Sequence, residues 1–302
     1  MHNPTCFANH MGWWAIDSQF IRGAVAAVAA GKLVARDPEH LHMAVDFSSA
    51  LRGEVVSTNA NGKYMRYDNG MATVRIDGPM MKGSSKYGGT STIATRVALR
   101  AAIDDQKVNA IMVVVDSPGG TVAGTQELAD AITAAAGSKP LAVYVDDLSA
   151  SAAVWATAGA SEITAGRSAR IGSVGVINVL EDTSKEAEAN GVEVIVFATG
   201  GYKGVGVDGA SVTDEHRTYM QSLVDDMGAM FFDAVAAGRN ISAEAMNEIK
   251  SAKIFNAQKA LELGLIDRIG TFEDAAASLM SKVKGNRRAR AASARAAFDL
   301  DL

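Results

Sequence analysis

The sequence is poor in the side chains on which much hydrolytic and metal chemistry depends. Cys6 is the sole cysteine, so no internal disulfide can form, no Cys/His cluster of zinc-finger spacing exists, and a reducing compartment suits the chain. Histidines are His2, His10, His40, His42 and His216, which leaves none between residues 71 and 215. A Ser-His-Asp triad or a histidine metal site within that stretch is excluded. Five prolines beside 29 glycines exclude collagen-like or proline-rich character. Long apolar runs are missing too: the alanine-rich stretch Gly23–Gly31 has about half of the ~20 residues needed to span a bilayer. Arg22 precedes it, but Asp17 and the feeble apolar character of alanine make it a poor secretory signal. Neither charge dominates, since 29 Lys plus Arg face 34 Asp plus Glu for a net −5. The whole-chain balance therefore recruits neither nucleic acid nor anionic membrane. What remains is an ordinary globular composition, 302 residues with 48% hydrophobic and 21% charged, long enough for one large or two small domains.

Trp13-Trp14-Ala15-Ile16 leads into a predicted helix with Asp17 as N-cap, an Ile16/Ile21 staple and Gly31 as stop. Ile16, Phe20, Ala24, Ala27 and Val28 share one face, a docking helix with aromatic anchors. Residues 35–70 are turn-rich and read as a connector. From residue 71 strands and helices alternate. Strands are expected at Ala72–Ile76, Asn109–Val115, Leu141–Val145, near Ile163, at Val174–Ile177 and at Val192–Ala198. Helices are expected at Ser91–Asp105, Thr121–Ala136, Ala152–Ala158 and Thr183–Ala189, and a long one opens at Thr213. This succession predicts an α/β fold with a largely parallel sheet covered by helices on both faces. In the long helix Met220, Leu223, Val224, Met227, Phe231 and Val235 form one stripe, a core or interface face. Ser242 and Asn256 are natural caps for two shorter helices. The organisation expected is an N-terminal helical extension and connector over 1–70, a catalytic domain over 71–280 and a basic, alanine-rich, disordered tail over 281–302. That tail, with Lys282, Arg287, Arg288, Arg290 and Arg295, reads as solvated, with an acidic partner such as nucleic acid as the other option.

Without histidine, a nucleophile in the core needs another base, and lysine is available. At an ordinary pKa of ~10.4, lysine is neutral in roughly one molecule per thousand near pH 7, a deficit of about 4 kcal/mol that an apolar setting reduces. Lys203 sits among small residues in Gly200-Gly201-Tyr202-Lys203-Gly204-Val205, whereas Lys107, Lys139 and Lys185 lie in polar turn or helix settings. Asp116-Ser117-Pro118-Gly119-Gly120 follows a buried strand and precedes a helix, so its glycine amides can face a developing oxyanion or simply make a tight turn. Ser151, in Ser149-Ala150-Ser151-Ala152-Ala153-Val154, opens a helix as a cap or as a nucleophile with room for a peptide beside it. Gly204–Gly209 matches a dinucleotide glycine pattern, but the next helix starts only at Thr213, too late for its dipole to meet a pyrophosphate.

Taken in order, these motifs resemble those of the signal-peptide-peptidase-like serine peptidases, the Ser-Lys branch of the ClpP/crotonase-like fold. The resemblance covers about residues 71–277. It rests on Ser117-Pro118-Gly119-Gly120, Ala150-Ser151, Ile171-Gly172-Ser173-Val174-Gly175-Val176, Tyr202-Lys203 and Ala260-Leu261-Glu262-Leu263-Gly264-Leu265-Ile266-Asp267. It implies Ser151 as nucleophile, Lys203 as base, Ser173 as the residue that positions the lysine, and Gly119 and Gly120 as oxyanion donors, with no metal or cofactor. It implies a homo-oligomer acting on peptide bonds. Ala152-Ala153-Val154 replaces the family's usual Gly-Gly-Tyr, which bears on substrate preference. Trp14-Ala15-Ile16 before an alanine-rich helix is similar to the start of phage head-maturation proteases. That branch implies scaffold and major capsid protein as substrates, inside an assembling prohead in the bacterial cytoplasm. A cytoplasmic housekeeping peptidase and an acyl-CoA hydratase or isomerase of the same fold are the alternatives.

Overall fold

The computed structural model describes residues 13–17, 52–85 and 88–285. The strands in chain order are β1 (Trp14–Ile16), β2 (Gly53–Ser57), β3 (Lys63–Tyr67), β4 (Met71–Asp77), β5 (Met80–Met81), β6 (Thr90–Ser91), β7 (Ala110–Ser117), β8 (Gly119–Thr121), β9 (Leu141–Ala150), β10 (Ile163–Ala165), β11 (Arg170–Gly172), β12 (Ile254–Asn256) and β13 (Arg268–Ile269). The helices are α1 (Thr92–Asp104), α2 (Thr125–Ser138), α3 (Ala152–Thr157), α4 (Ser184–Ala189), α5 (Asp214–Arg239), α6 (Ala243–Ile249), α7 (Ala257–Glu262) and α8 (272–285).

The expected α/β class is borne out. β4, β7, β9 and β11 run parallel as neighbours, β10 joins β9 in parallel, and antiparallel strands close both edges. Alternation along β7 decides which layer each residue joins. Ile111, Val113 and Val115 enter the large core with the helices of one face, whereas Ala110, Met112 and Val114 meet Phe272, Ala275 and Leu279 of α8 on the other. Trp155 of α3 stacks on Phe231 of α5 with ring centroids 4.7 Å apart, which ties the long helix to the sheet. α8 is held by Glu162, which takes Lys282 at 2.6 Å and Ser278 at 2.9 Å. Burial would raise the Glu162 carboxyl, but Lys282, Ser278 and Arg268 together hold it below the ordinary carboxylate range.

Several expectations are corrected. Residues 53–67, read as connector, form the β2/β3 hairpin that extends the sheet edge beside β4. Thr121 belongs to β8, so α2 starts only at Thr125 behind Gly124 in the left-handed region (φ 91). The strand placed at Val174–Ile177 is β11 at Arg170–Gly172 instead, and Ile177 makes only an isolated bridge to Trp14. Val192–Ala198 is not a strand: it has β-forming side chains but pairs with no strand among the described residues, and Phe197 is 94% exposed. Trp14–Ile16 is strand rather than a helical lead, and the helix expected from residue 18 to Gly31 lies outside the described residues. The expected tail boundary at 281 falls inside α8, with residues 286–302 outside the described set. Among the described residues no helix is long and apolar enough to cross a membrane.

Candidate active site

The site forms where the parallel strands end. Between the pairs Val115–Val145 and Ser117–Ser149, β9 advances from Val145 to Ser149 while β7 advances only from Val115 to Ser117. This bulge re-aims the end of β9, as bulges beside functional sites do. Ser151 then takes φ 54 and ψ −118, a strained corner for a residue with a Cβ, before α3 begins. Strain of this kind is held only where the surroundings fix it. Here the Ser151 amide donates to Gly172 O at 2.8 Å and the residue is fully buried. The cap reading of Ser151 fails, because its side chain makes no cap bond to α3. Its Oγ instead donates to Gly175 O at 3.3 Å.

Around this hydroxyl lie backbone amides. Gly119 and Gly120 form β8, with Gly119 at φ 92. A Cβ on Gly119 would lie 2.8 Å from both Ala150 O and Ala152 N, so the glycine loop passes directly against the serine corner. The Gly119 amide donates to Ser117 Oγ at 3.2 Å, and that hydroxyl donates to Gly78 O at 2.6 Å. In this arrangement Gly119 orders the loop, while Gly120 presents its amide to the strand β1. Ala152, the first residue of α3, has an amide with no intrahelical acceptor. Sequence reasoning missed this donor, although its place directly after Ser151 at a helix start was the available signal.

Ser173 also has a positive φ (53), its amide donating to Lys253 O at 2.8 Å. It follows Gly172, the residue that holds the Ser151 amide, so both serines stand at one end of the sheet. Lys203 is elsewhere. It lies in an exposed loop, contrary to the expectation of an apolar setting, and makes no hydrogen bond or ion pair among the described residues. The loop is anchored next to it: Tyr202 Oη donates to Glu215 Oε1 at 2.7 Å, packs on Tyr219 at 4.6 Å, and Gly201 O meets His216 Nε2 at 3.1 Å. The His216 side chain thereby ties this loop to the start of α5, where it also completes a capping box with Thr213. Lys139 is the lysine whose pKa is pushed down by burial, yet its Nζ donates to Ala102 O and Asp105 O near the end of α1. It precedes β9 and Ser151 follows it, so the ten-residue strand puts on the order of 30 Å between them at ~3.3 Å per residue.

Residues 133–286 match the peptidase family S49. A Synechocystis sp. protein with a protease name is 33% identical over 205 residues, covering 68% of this chain and 71% of that one. Capsid assembly protease C of Escherichia phage lambda is 28% identical over 211 residues, covering 68% and 48%. Protease 4 of Salmonella typhi is 27% identical over 215 residues, covering 71% and 35%, so the chain spans half or less of these last two relatives. Among solved structures, a ClpP1 mutant from Listeria monocytogenes aligns with 68% of this chain and 94% of its own at 13% identity and TM-score 0.44. An enoyl-CoA hydratase from Mycobacterium smegmatis aligns over 78% and 77% at 14% identity and TM-score 0.45. The chain belongs to peptidase family S49 and is a serine-type peptidase.

Proposed function

We propose that the chain is a Ser-Lys endopeptidase whose catalytic pair is completed between copies, Ser151 from one and Lys203 from another. The observation that carries this reading is the contrast between the two residues: Ser151 is fully buried on a strained corner, and Lys203 is exposed with no partner among the described residues. The loop segment before Lys203 exposes Val192, Ile195 and Phe197, apolar groups that a second copy would cover. Docking strips water from an ammonium and so favours the neutral amine that a general base needs. The amine takes the proton from Ser151 Oγ as the oxygen attacks the peptide carbonyl carbon. The amides of Gly120 and Ala152 receive the oxyanion, worth about 2.7–4 kcal/mol for each donor. The lysine then passes its proton to the leaving amine, and water hydrolyses the ester to regenerate the serine. Ser173 and the Gly119 amide act by positioning, the latter through Ser117.

The substrates proposed are scaffold and major capsid protein within an assembling prohead in the host cytoplasm. Support comes from the capsid assembly protease of phage lambda and the head-tail preconnector protein of phage P21, the latter 29% identical over 228 residues. The housekeeping reading has its own support in a signal peptide peptidase relative from Enterococcus faecium, 28% identical over 187 residues.

Mixing inactive Ser151→Ala protein with inactive Lys203→Ala protein tests the shared pair. Random assembly places an intact serine beside an intact lysine in about a quarter of sites, so roughly a quarter of the activity returns. A mixture that stays inactive, from two folded proteins, overturns the shared dyad. Co-expression with capsid and scaffold precursors tests the role: wild type trims them and Ser151→Ala leaves them uncut, whereas equal trimming removes Ser151 from the mechanism.

A further inference from the structure

Residues 13–17 run through the site as an extended strand with both edges paired. On one side Trp14, Ala15 and Ile16 lie antiparallel to Thr121, Gly120 and Gly119. The Val122 amide donates to Trp13 O at 3.0 Å and the Asp17 amide to Pro118 O at 2.8 Å. In an antiparallel ladder, hydrogen-bonded pairs alternate, so the pair between these two, Ala15 with Gly120, also exchanges both bonds. On the other side Trp14 N donates to Ile177 O at 3.1 Å and receives Ile177 N at 2.9 Å on its carbonyl. The wall that carries Ile177 also carries Gly175, whose carbonyl accepts the Ser151 hydroxyl.

The strand therefore lies in a slot between the glycine strand and the 175–177 segment. The point where Gly119 would bear a Cβ is 2.3 Å from Ala15 O and 2.8 Å from Ala152 N, which puts the Ala15 carbonyl beside the serine corner. Ala15 is fully buried, and Trp14 and Ile16 are 8% and 6% exposed. Beyond Trp13 the slot opens into a cleft of about 360 Å³ lined also by Met81, Lys82, Val122 and Met227. Pairing through the main chain on both edges, with a small side chain at the centre, is how an extended peptide is held by strand addition. A permanent β1 would keep the Pro118 carbonyl, the Val122 amide, both main-chain groups of Gly120 and both of Ile177 engaged, so an incoming peptide could not pair with them beside Ser151.

We propose that Trp13–Asp17 is a built-in occupant of the peptide-binding slot, seated as an extended substrate with the Ala15 carbonyl against Gly120, and that it excludes other peptides until displaced. The inference rests on the reading of Ser151 as the nucleophile, because that reading makes the slot a peptide site.

The test measures binding without cleavage, in full-length Ser151→Ala protein. The probe is a fluorescent peptide, Gly-Trp-Trp-Ala-Ile-Asp-Ser-Gln, the sequence of residues 12–19, followed by anisotropy. Two added substitutions loosen the occupant by different routes: Ala15→Pro removes the amide that pairs with Gly120, and Ala15→Arg puts a long charged side chain where none fits. If the occupant holds the slot nine-tenths of the time, each raises the apparent affinity about tenfold. Unchanged affinity in folded variants overturns the proposal. Loss of cooperative melting in both overturns it as well, because β1 is then a structural strand. Peptide turnover by the same Ala15 variants with Ser151 intact separates the two readings. Tighter binding without turnover leaves the occupant standing and removes the nucleophile, whereas turnover with unaltered binding removes only the occupant.

Discussion

Tyr202 donates its hydroxyl to Glu215 Oε1 at 2.7 Å, which fastens the residue preceding Lys203 to the first turn of α5. The bond to Glu215, followed by that carboxylate's charge, pushes the Tyr202 pKa up, so the phenol stays protonated as the donor. If Lys203 acts as the base, its reach is set by this anchor. Tyr202→Phe keeps the ring on Tyr219 and removes only the hydrogen bond. Turnover should fall between about tenfold and a hundredfold, the cost of slight misplacement, with KM changed far less. A kcat measurement beside KM checks this, and Glu215→Gln with Tyr202 intact, which can still accept the bond, should lose far less turnover than Tyr202→Phe.

Phe197 gives the second prediction. Its side chain is 94% exposed, with Val192 and Ile195 also open. A second copy covering this segment would make Phe197→Asp place a charge in an apolar contact. Sedimentation should show dissociation toward monomer, and activity should fall with it while thermal unfolding of the subunit stays unchanged. An assembly of unchanged size would mean that the segment lies outside the interface.

These two predictions fall where the sequence was hardest to read. The buried strands around Asn109–Val115 and Leu141–Val145 were legible because both sheet faces are covered, so the chain carries near-continuous apolar runs. Ser242 and Asn256 were legible as caps, and Ser91 and Thr213 as helix starts, because capping depends on local geometry alone. Val192–Ala198 carries the same kind of apolar run as a buried strand, and only the missing neighbour distinguishes it. The amide of Ala152 was invisible because any residue type supplies one. β1 was hidden for another reason: three residues are too few to show a period, and its partners lie more than 100 positions away.

Asp116 supplies a pH prediction. Burial first, then the charges of Asp147, Asp77 and Asp146, push its carboxyl above the ordinary carboxylate range. With its native pKa raised, the folded state holds the proton more tightly than the unfolded chain. This contribution to stability is fully present below the ordinary pKa of ~3.9 and is lost as pH rises through the native value. Asp116→Asn keeps an oxygen for the Leu148 amide that the carboxylate accepts, and removes the charge. It should raise Tm at pH 7 by roughly 2–4 °C for each kcal/mol recovered and leave Tm near pH 3 unchanged. An equal shift at both pH values would point to packing in place of charge.

Gly119 and Gly120 are adjacent but should fail in different ways. A Cβ at Gly120 would come 1.7 Å from Met80 O and 2.5 Å from Met80 C, so alanine there must push β5 away from β8. Forced overpacking of this kind costs about 1–3 kcal/mol, and Gly120→Ala should lower Tm along with activity. Gly119 has φ 92, and its Cβ would point at Ala15 O, Ala150 O and Ala152 N. Alanine there adds about 1–2 kcal/mol of left-handed backbone strain, must also displace backbone atoms it would meet at 2.3 and 2.8 Å, and fills the space in which a substrate carbonyl must sit. Gly119→Ala should therefore lose turnover far beyond its loss of stability. Thermal melts and single-turnover peptide cleavage on both variants decide the matter. Turnover that tracks stability equally in the two would show that Gly119 does no more than shape the turn.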